Sequence, residues 1–206
     1  MADFIPQALT VPERSALLTA LVAPRPIAFV STLGTDGVGN LAPFSFFMAG
    51  GYNPMSVAFA PLHWRDGGIK DTLTNVRETG EFVVNVTTAD MAARVNQASY
   101  RYAHGIDEFD AVGFTRVPSV VVRPPRVAES VASLECRVFQ IVEHGNGPGS
   151  GAYVIGEVLR IHVNDAVLTN GVPDNHKIEH LARLGADVFA RMAPGVLFNV
   201  TRPTGP

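Results

Sequence analysis

Lys70, Asp71 and Thr72 stand together at the start of a segment whose pattern predicts a helix from Asp71 to Thr79. Gly80 follows directly, which is typical of a helix that ends in a glycine cap. The free N–H groups at a helix N-terminus attract anions, and a lysine and a hydroxyl beside them add a charge and a further donor. The combination is suited to binding a phosphate group. Taken alone, it also fits an ordinary capped helix without a ligand.

A run of aromatic and small residues lies upstream of this helix, beginning at Asn40. We expect the stretch from Pro43 to Phe47 to be unpaired, so that its backbone can donate hydrogen bonds to a ligand. Core packing explains each aromatic side chain singly, but it does not explain why so many gather between Asn40 and Gly68. An apolar aromatic wall beside a phosphate site suits a flavin mononucleotide.

A possible metal-binding pattern, H-x-x-E-H, lies at His176 to His180, within a helix predicted from His176 to Arg183. Such a helix would place two imidazoles on one face with a carboxylate beside them. A catalytic zinc needs a third protein ligand, and residues 181–206 offer no glutamate and only Asp187. A zinc hydrolase, a solvated polar helix face and contact with a ligand therefore stay open as alternatives.

Several other sequence patterns do not support a nucleotide-binding or nucleophilic site. The four glycines between Gly145 and Gly151 lack the spacing and the following helix of a dinucleotide-binding loop, so we expect a hairpin loop. No glycine precedes a lysine, which excludes the phosphate-binding loop of NTPases, and the surroundings of Ser150 do not match a nucleophile elbow. The one cysteine, Cys136, is expected to be a buried structural thiol.

Composition narrows the class of protein further. The 206 residues suit one domain spanning 1–206, with 47% hydrophobic and only 17% charged residues. The net charge of -3 and the absence of like-charge blocks disfavour nucleic acid and anionic membranes as partners. The first 16 residues do not match a signal peptide, and no apolar run approaches a membrane span. We expect a soluble, cytoplasmic protein in which a partner subunit or a cofactor covers some apolar surface.

The pattern of elements predicts a mainly β fold, an antiparallel barrel with decorating helices rather than a doubly wound α/β sheet. Thr10 to Glu13 forms a capping box ahead of a short opening helix. A further helix is predicted from Thr87 to Ala98, with Thr87 and Asp90 in capping positions. The predicted strands cover Ile27 to Thr32, Val38 to Phe44, Met55 to Ala60, Phe82 to Val86, Ser130 to Glu143 and Ala152 to Val163.

An ordered series of motifs in this chain closely resembles that of the flavin reductase-like, FMN-binding split-barrel family. The family carries P-R-P-I-A-x-V-S-T, N-x-A-P-F-S-x-F and K-D-T-x-x-N-x-R-x-x-G-E-F-V-V-N in this order. The matching segments here begin at Pro24, Asn40 and Lys70, and the resemblance continues through Val122 to Ser130, Leu134 to Cys136, Val154 to Val158 and Leu181 to Gly185.

The resemblance implies a split β-barrel homodimer that binds FMN, or alternatively FAD, near the subunit interface. It implies that Ser31, Thr32 and Asn40 line the flavin site and that Ser45, Phe46 and Phe47 contact the isoalloxazine ring. Lys70, Asp71 and Thr72 would contact the phosphate and the ribityl chain. Arg183, Leu184 and Gly185 would close the site from the C-terminal side.

The implied activity is an NAD(P)H-dependent flavin reductase, with NADH or NADPH as the hydride donor and a partner oxygenase as the user of reduced flavin. No acid/base dyad is required, because the cofactor carries the hydride chemistry. A flavin protein that carries electrons without turning over nicotinamide is the alternative.

Overall fold

The structure of the chain is a computed structural model that describes residues 1–204. Its helices are α1 (Val11–Leu21), α2 (Asp71–Thr79), α3 (Ala92–Gln97) and α4 (Glu108–Val112). Its strands are β1 (Arg25–Pro26), β2 (Ala28–Leu33), β3 (Gly39–Phe44), β4 (Phe47–Tyr52), β5 (Met55–Phe59), β6 (Glu81–Val86), β7 (Arg116–Val117), β8 (Arg126–Val127), β9 (Ala132–His144), β10 (Gly151–Val163), β11 (Leu168–Thr169), β12 (Val172–Pro173), β13 (His180–Arg183) and β14 (Phe189–Met192).

Within residues 1–204, seven strands form one antiparallel sheet in the order β3-β2-β6-β9-β10-β5-β4. A smaller sheet has the order β1-β13-β14. The long strands β9 and β10 pair from Ala132 opposite Val163 to His144 opposite Gly151, so the glycine-rich loop between them is the hairpin loop that the sequence predicts. The prediction of a mainly β, antiparallel fold is confirmed.

Strand β2 lies between two hydrophobic cores, because its side chains are buried on both faces. Ala28 and Val30 belong to one core, which packs against Leu73 and Val76 of α2. Phe29 belongs to the other core, which α3 and α4 cover. This double burial explains why the predicted strand is apolar on both faces, and it brings α2 and α4 to the end of the sheet formed by β2 and β3.

The two predicted helices with clear end signals form as expected. Helix α1 begins at a capping box in which the Thr10 hydroxyl accepts from the backbone of Glu13 and the Glu13 carboxylate accepts from the backbone of Thr10. Helix α2 ends at Gly80, which has a φ of 70° in the left-handed region that glycine adopts readily. None of the helices within residues 1–204 is long and apolar enough to cross a bilayer.

The helix predicted from His176 to Arg183 is wrong. Lys177 closes a turn onto Asp174, and His180 to Arg183 form strand β13. This strand pairs with β1 on one side and β14 on the other, and its buried Leu181 and Ala182 gain packing that an isolated helix would not offer. Backbone pairing and burial override the helical pattern, so His176 and His180 do not share a helix face.

The helix predicted from Thr87 to Ala98 starts later than expected. A 3₁₀ turn covers Ala89–Met91, and α3 begins only at Ala92. Thr87 accepts a hydrogen bond from the backbone of Leu181, and Thr88 forms a bridge with His180. Because these backbone groups are held by the neighbouring chain segment, neither Thr87 nor Asp90 caps the helix.

The unpaired segment predicted from Pro43 to Phe47 is shorter in the structure. Pro43 and Phe44 belong to β3, and Phe47 begins β4. Only Ser45 and Phe46 lie between the two strands, and the Phe46 carbonyl already accepts a hydrogen bond from the Ala60 amide at 2.8 Å.

Candidate functional site

A cavity of ≈ 280 Å³ lies where the N-terminus of α2 meets strand β3. Its wall is completed by Glu108 of α4 and by the segment that follows α3. Its lining residues are Asn40, Ala42, Pro43, Trp64, Ile69, Lys70, Asp71, Thr72, Ala98, Ser99, Tyr100, Arg101, Tyr102, Ala103, His104 and Glu108. The four residues Asn40, Lys70, Asp71 and Thr72, predicted from distant parts of the sequence, therefore share one cavity.

A buried network of hydrogen bonds fixes the floor of the cavity. The Asn40 side-chain amide donates to the Thr72 hydroxyl at 2.7 Å and to the Thr32 hydroxyl at 3.3 Å. Asn75, one turn further along α2, donates to the same Thr32 hydroxyl at 3.0 Å. Thr32 does not line the cavity, but it holds Asn40 and α2 in register. Asn40 and Thr72 are buried and present few alternative conformations to a ligand.

The N-terminus of α2 offers backbone donors at the cavity. Lys70 is the N-cap, with no side-chain cap, and its carbonyl accepts from Leu73 and Thr74. Within residues 1–204, the N–H groups of Asp71 and Thr72 donate to no protein acceptor. A helix N-terminus with free donors attracts negative charge.

Lys70 stacks on the indole ring of Trp64, with its Nζ 3.5 Å from the ring centroid. No carboxylate in residues 1–204 lies within ion-pair distance of it, while Arg101 packs 5.2 Å from the same ring and pairs with Asp66 at 2.5 Å. Burial, with a smaller contribution from Arg101, lowers the pKa of Lys70 to about 8. A half-buried cation without a counter-ion leaves the cavity electrostatically suited to an anion.

Glu108 brings a carboxyl group into the same wall. It is buried, and its Oε2 accepts the backbone N–H of Leu41 at 3.0 Å. Burial is the main cause that raises the pKa of Glu108 to about 7, with smaller contributions from Asp107 and Asp71. Nothing in the sequence pattern singled out Glu108, because its proximity to Lys70 arises only from the packing of α4 against β3.

A second group of predicted residues gathers around Arg25. The guanidinium donates to the carbonyls of Thr19 and Leu184, at 2.6 and 2.7 Å, and to the Ser45 hydroxyl at 3.4 Å. It also lies 5.6 Å from the centroid of the Phe46 ring. Arg25 belongs to the motif that begins at Pro24, but no sequence pattern assigns it to the site. It links α1 and the segment after β13 to the turn at Ser45.

Several predicted residues lie outside the cavity. Ser31 is fully buried, and its hydroxyl donates to the Pro125 carbonyl at 2.5 Å and accepts from Asn85. Arg183 stacks 4.2 Å from the Phe189 ring centroid and bonds to the Ala186 carbonyl. Ser45, Phe46 and Leu184 lie beside the Arg25 guanidinium, and Gly185 follows Leu184. Phe47 begins β4 and packs against the core that holds Ala28 and Val30. None of these five residues lines the cavity.

Cys136 and the histidine pattern play no part in this cavity. Cys136 is fully buried, and burial is the main cause that raises the pKa of its thiol to about 12, as expected for a structural residue. Within residues 1–204 there is no group of three side chains that could hold a metal ion. The zinc hydrolase alternative has therefore lost the helix on which it depended.

The family model for the flavin reductase like domain matches residues 21–181 of this chain. The chain belongs to this family. The match includes every residue that lines the cavity, and the resemblance read from the ordered motifs is confirmed.

Solved structures place the chain in the same fold. Nitrilotriacetate monooxygenase component B from Bacillus cereus has a TM-score of 0.88 and 27% identity, over 98% of both chains. The 2-nitrobenzoate 2-nitroreductase NbaA from Pseudomonas fluorescens has a TM-score of 0.88 and 28% identity, over 98% of this chain and 97% of that one. A flavin reductase-like protein with a split-barrel domain from Shewanella frigidimarina has a TM-score of 0.79 and 23% identity, over 98% and 96%. The predicted split-barrel fold is confirmed.

Proposed function

We propose that the chain binds FMN in the cavity beside α2 and works as an NAD(P)H-dependent flavin reductase. The observation that carries the proposal is Lys70, a half-buried cation without a protein counter-ion beside the two free N–H groups of Asp71 and Thr72 within residues 1–204. These groups can meet the charge and the oxygen acceptors of a phosphate monoester. Membership in the family supports a flavin as the molecule that carries this phosphate.

The remaining site residues fit the other parts of the flavin. Asn40 lies in the same cavity wall and is held by Thr32, which suits a contact to the ribityl chain. Strand β3 leads from Asn40 to Ser45, Phe46 and Phe47, where we place the isoalloxazine ring. Arg25 fixes this turn and the Leu184–Gly185 segment, so Arg183 to Gly185 would close that end, and Ser31 would act indirectly through the buried core.

The protein's task in this proposal is binding and orientation. When bound, the flavin would supply the hydride chemistry. The chain would hold the phosphate with Lys70 and α2, orient the ring along β3 and keep water from the buried face. A strongly shifted acid/base pair at the ring is not needed for such a role. FMN rather than FAD is the favoured ligand because FMN ends in a phosphate monoester, whose charge Lys70 and the free N–H groups of α2 can meet.

A partner oxygenase and a second copy of the chain complete the proposal. The similarity to nitrilotriacetate monooxygenase component B supports a role in supplying reduced flavin to an oxygenase component, in the cytoplasm where NADH and NADPH are present. Helix α1 contributes no buried residue, and Leu18 and Leu21 on it are 53% and 81% exposed. Exposed apolar side chains next to the Arg25 cluster suit a homodimer interface.

A second candidate function is the reduction of a nitroaromatic substrate by the bound flavin. The observation that favours it is the similarity to the nitroreductase NbaA, which equals the similarity to component B in TM-score. Both candidates require the same cofactor site and differ in the acceptor that receives the electrons.

One set of assays tests these roles. Reconstitution with FMN should give the absorbance band of bound flavin at about 450 nm, which is a property of the cofactor. Adding NADH or NADPH anaerobically should bleach this band, and steady-state oxidation with excess FMN should show turnover. Return of the band when 2-nitrobenzoate is added anaerobically to the bleached protein, with loss of the nitro group, would favour the nitroreductase. Binding without bleaching by either nicotinamide would favour an electron carrier, and failure of the folded chain to bind FMN at micromolar concentration would refute the proposal.

A further inference from the structure

Glu108 places a carboxyl group in the wall of the cavity that we propose for a phosphate. The residue is buried, 7% exposed, and it shares the cavity lining with Lys70 and the N-terminus of α2. One carboxyl oxygen accepts the Leu41 N–H at 3.0 Å. No cation in residues 1–204 pairs with Glu108, unlike the neighbouring Asp107, which pairs with Arg116 at 2.7 Å.

The groups around Glu108 determine the cost of ionising it. The carboxylates of Asp107, which is the N-cap of α4, and of Asp71 on α2 oppose a negative charge. The backbone N–H groups of Leu41 on β3 and of Glu108 itself favour it. Burial is the largest influence and opposes the charge. The other charged or titratable groups that line the cavity are Lys70, Arg101 and His104, with the phenols of Tyr100 and Tyr102.

The two charge states of Glu108 differ in what they offer an anionic ligand. The neutral carboxyl keeps the acceptor for the Leu41 N–H and gains an O–H that can donate to an oxygen of the ligand. The ionised carboxylate keeps the same acceptor but repels a phosphate in the same small cavity, where water screens poorly. Only the neutral form is compatible with both Leu41 and an anion.

We propose that a phosphate-bearing ligand enters this cavity with uptake of a proton by Glu108, which makes Glu108 the residue that couples ligand affinity to pH. The proposal rests on the proposed function in that it takes FMN as the ligand. Its direction is fixed by the geometry: affinity for FMN decreases as Glu108 ionises, while riboflavin, which has no phosphate, is affected much less.

Lys70 is a second source of proton uptake and has to be separated from Glu108. Its pKa of about 8 means that bound phosphate also draws a proton onto a small neutral fraction of Lys70 near pH 7.5. Arginine keeps its charge throughout this range, so Lys70→Arg removes that source. Glu108→Gln removes the carboxyl proton and still offers an oxygen to the Leu41 N–H.

Calorimetric titration with FMN at pH 7.5 in two buffers of different ionisation enthalpy measures the proton uptake directly. With the pKa of Glu108 at about 7, roughly three-quarters of the free protein has this carboxyl ionised at pH 7.5. We expect uptake of about 1 proton by the unaltered protein, about 0.7 by Lys70→Arg and about 0.2 by Glu108→Gln. Between pH 6.5 and 8.0 the FMN affinity of Lys70→Arg should fall roughly tenfold, and that of Lys70→Arg/Glu108→Gln should stay nearly constant.

The outcomes separate this inference from the proposed function. If FMN binds to the unaltered protein but Glu108→Gln takes up as many protons, the inference is overturned and the flavin site stands. If Glu108→Gln fails to fold, the Lys70→Arg variant still tests the inference. If that variant takes up no proton when it binds FMN, the inference is overturned. Equal pH dependence for riboflavin and FMN also overturns it, since the phosphate would then have no part. Failure of FMN to bind at any pH refutes the proposed function itself.

Discussion

At the scale of single residues, the side chain of Lys70 brings a positive charge to the cavity. Its ammonium group has only the face of Trp64 against it and no carboxylate within ion-pair distance among residues 1–204. A cation over an indole face is stabilised, but it keeps its charge available to a ligand. The neighbouring Thr72 hydroxyl accepts from Asn40, which leaves its own proton free to donate.

Replacing Lys70 by alanine, or Thr72 by valine, should weaken FMN binding by roughly ten- to a hundredfold, because a hydrogen bond to a charged group contributes about 1.5–3 kcal/mol. Riboflavin affinity should change little. Fluorescence titrations with both flavins measure this, and Lys70→Arg and Thr72→Ser serve as matched controls that keep the charge and the hydroxyl. Equal losses for FMN and riboflavin would remove both residues from the phosphate site and leave them as helix-capping residues.

Glu108 also makes a prediction for stability. Its pKa is raised from 4.5 to about 7 in the folded chain, so the folded state holds its proton more tightly than the unfolded state. The contribution of the protonated carboxyl to the free energy of unfolding is fully present below pH 4.5, and it is lost as the pH rises through about 7. The stability of Glu108→Gln relative to the unaltered protein should therefore be roughly 3 kcal/mol higher at pH 8 than at pH 4.5.

Urea unfolding of both proteins at pH 4.5 and pH 8 measures this difference. The comparison uses the ligand-free protein, so that it reports the carboxyl group alone. A stability difference between the unaltered protein and the Glu108→Gln variant that is the same at both pH values would mean that the carboxyl ionises normally inside the cavity wall.

At the scale of elements, Arg25 attaches α1 to the sheet. This helix buries none of its own side chains, yet the Arg25 guanidinium donates to the Thr19 carbonyl near its C-terminus and to the Leu184 carbonyl after β13. Arg25 itself is 5% exposed. The position of α1 therefore depends on the hydrogen bonds of the Arg25 guanidinium rather than on an apolar helix face.

Arg25→Ala should destabilise the protein by about 2–4 kcal/mol, because it leaves several part-buried carbonyls without a donor. Hydrogen exchange should accelerate mainly in α1 and in the segment around Leu184, while the hairpin of β9 and β10 stays protected. Arg25→Lys keeps the charge but cannot reach all acceptors, so an intermediate effect is expected. Unchanged exchange in α1 of the alanine variant would show that other contacts hold the helix.

At the scale of the whole molecule, the low charged fraction leaves apolar surface exposed in a single protomer. Leu18 and Leu21 of α1 are 53% and 81% exposed, and Tyr52 at the end of the edge strand β4 is 93% exposed. A second copy that covers these residues would also close the ring end of the proposed flavin site, because Arg25 connects α1 to Ser45 and Phe46.

We expect light scattering to give about twice the monomer mass of 22.0 kDa for the unaltered protein. Leu18→Glu/Leu21→Glu should shift it to the monomer mass without lowering the free energy of unfolding per protomer by more than about 1 kcal/mol, because both side chains are exposed in the protomer. Val172→Glu, an exposed position on β12, is the matched control and should leave the mass unchanged. A monomeric unaltered protein, or a dimer that survives the double substitution, would contradict the proposed α1 interface.

Local patterns in the sequence were sufficient for the features that depend on neighbouring residues. The capping box at Thr10, the glycine end of α2 at Gly80 and the hairpin between β9 and β10 all form, because hydrogen bonds and backbone angles within a few residues determine them. The order of motifs along the chain was likewise sufficient to identify the family, and the Lys70-Asp71-Thr72 segment was recognised as a candidate anion site from its own helix start.

Only the tertiary structure decided which distant side chains meet. His176 to His180 has a helical metal-binding pattern, but pairing of β13 with β1 and β14 places its last residue in a strand. Ser31 belongs to a matching motif, but it is buried and its hydroxyl donates a hydrogen bond to the Pro125 carbonyl. Glu108 reaches the cavity of Lys70 because α4 packs against β3, and its pKa depends on that burial. Desolvation and long-range packing depend on residues far apart in the sequence, so a local pattern does not contain them.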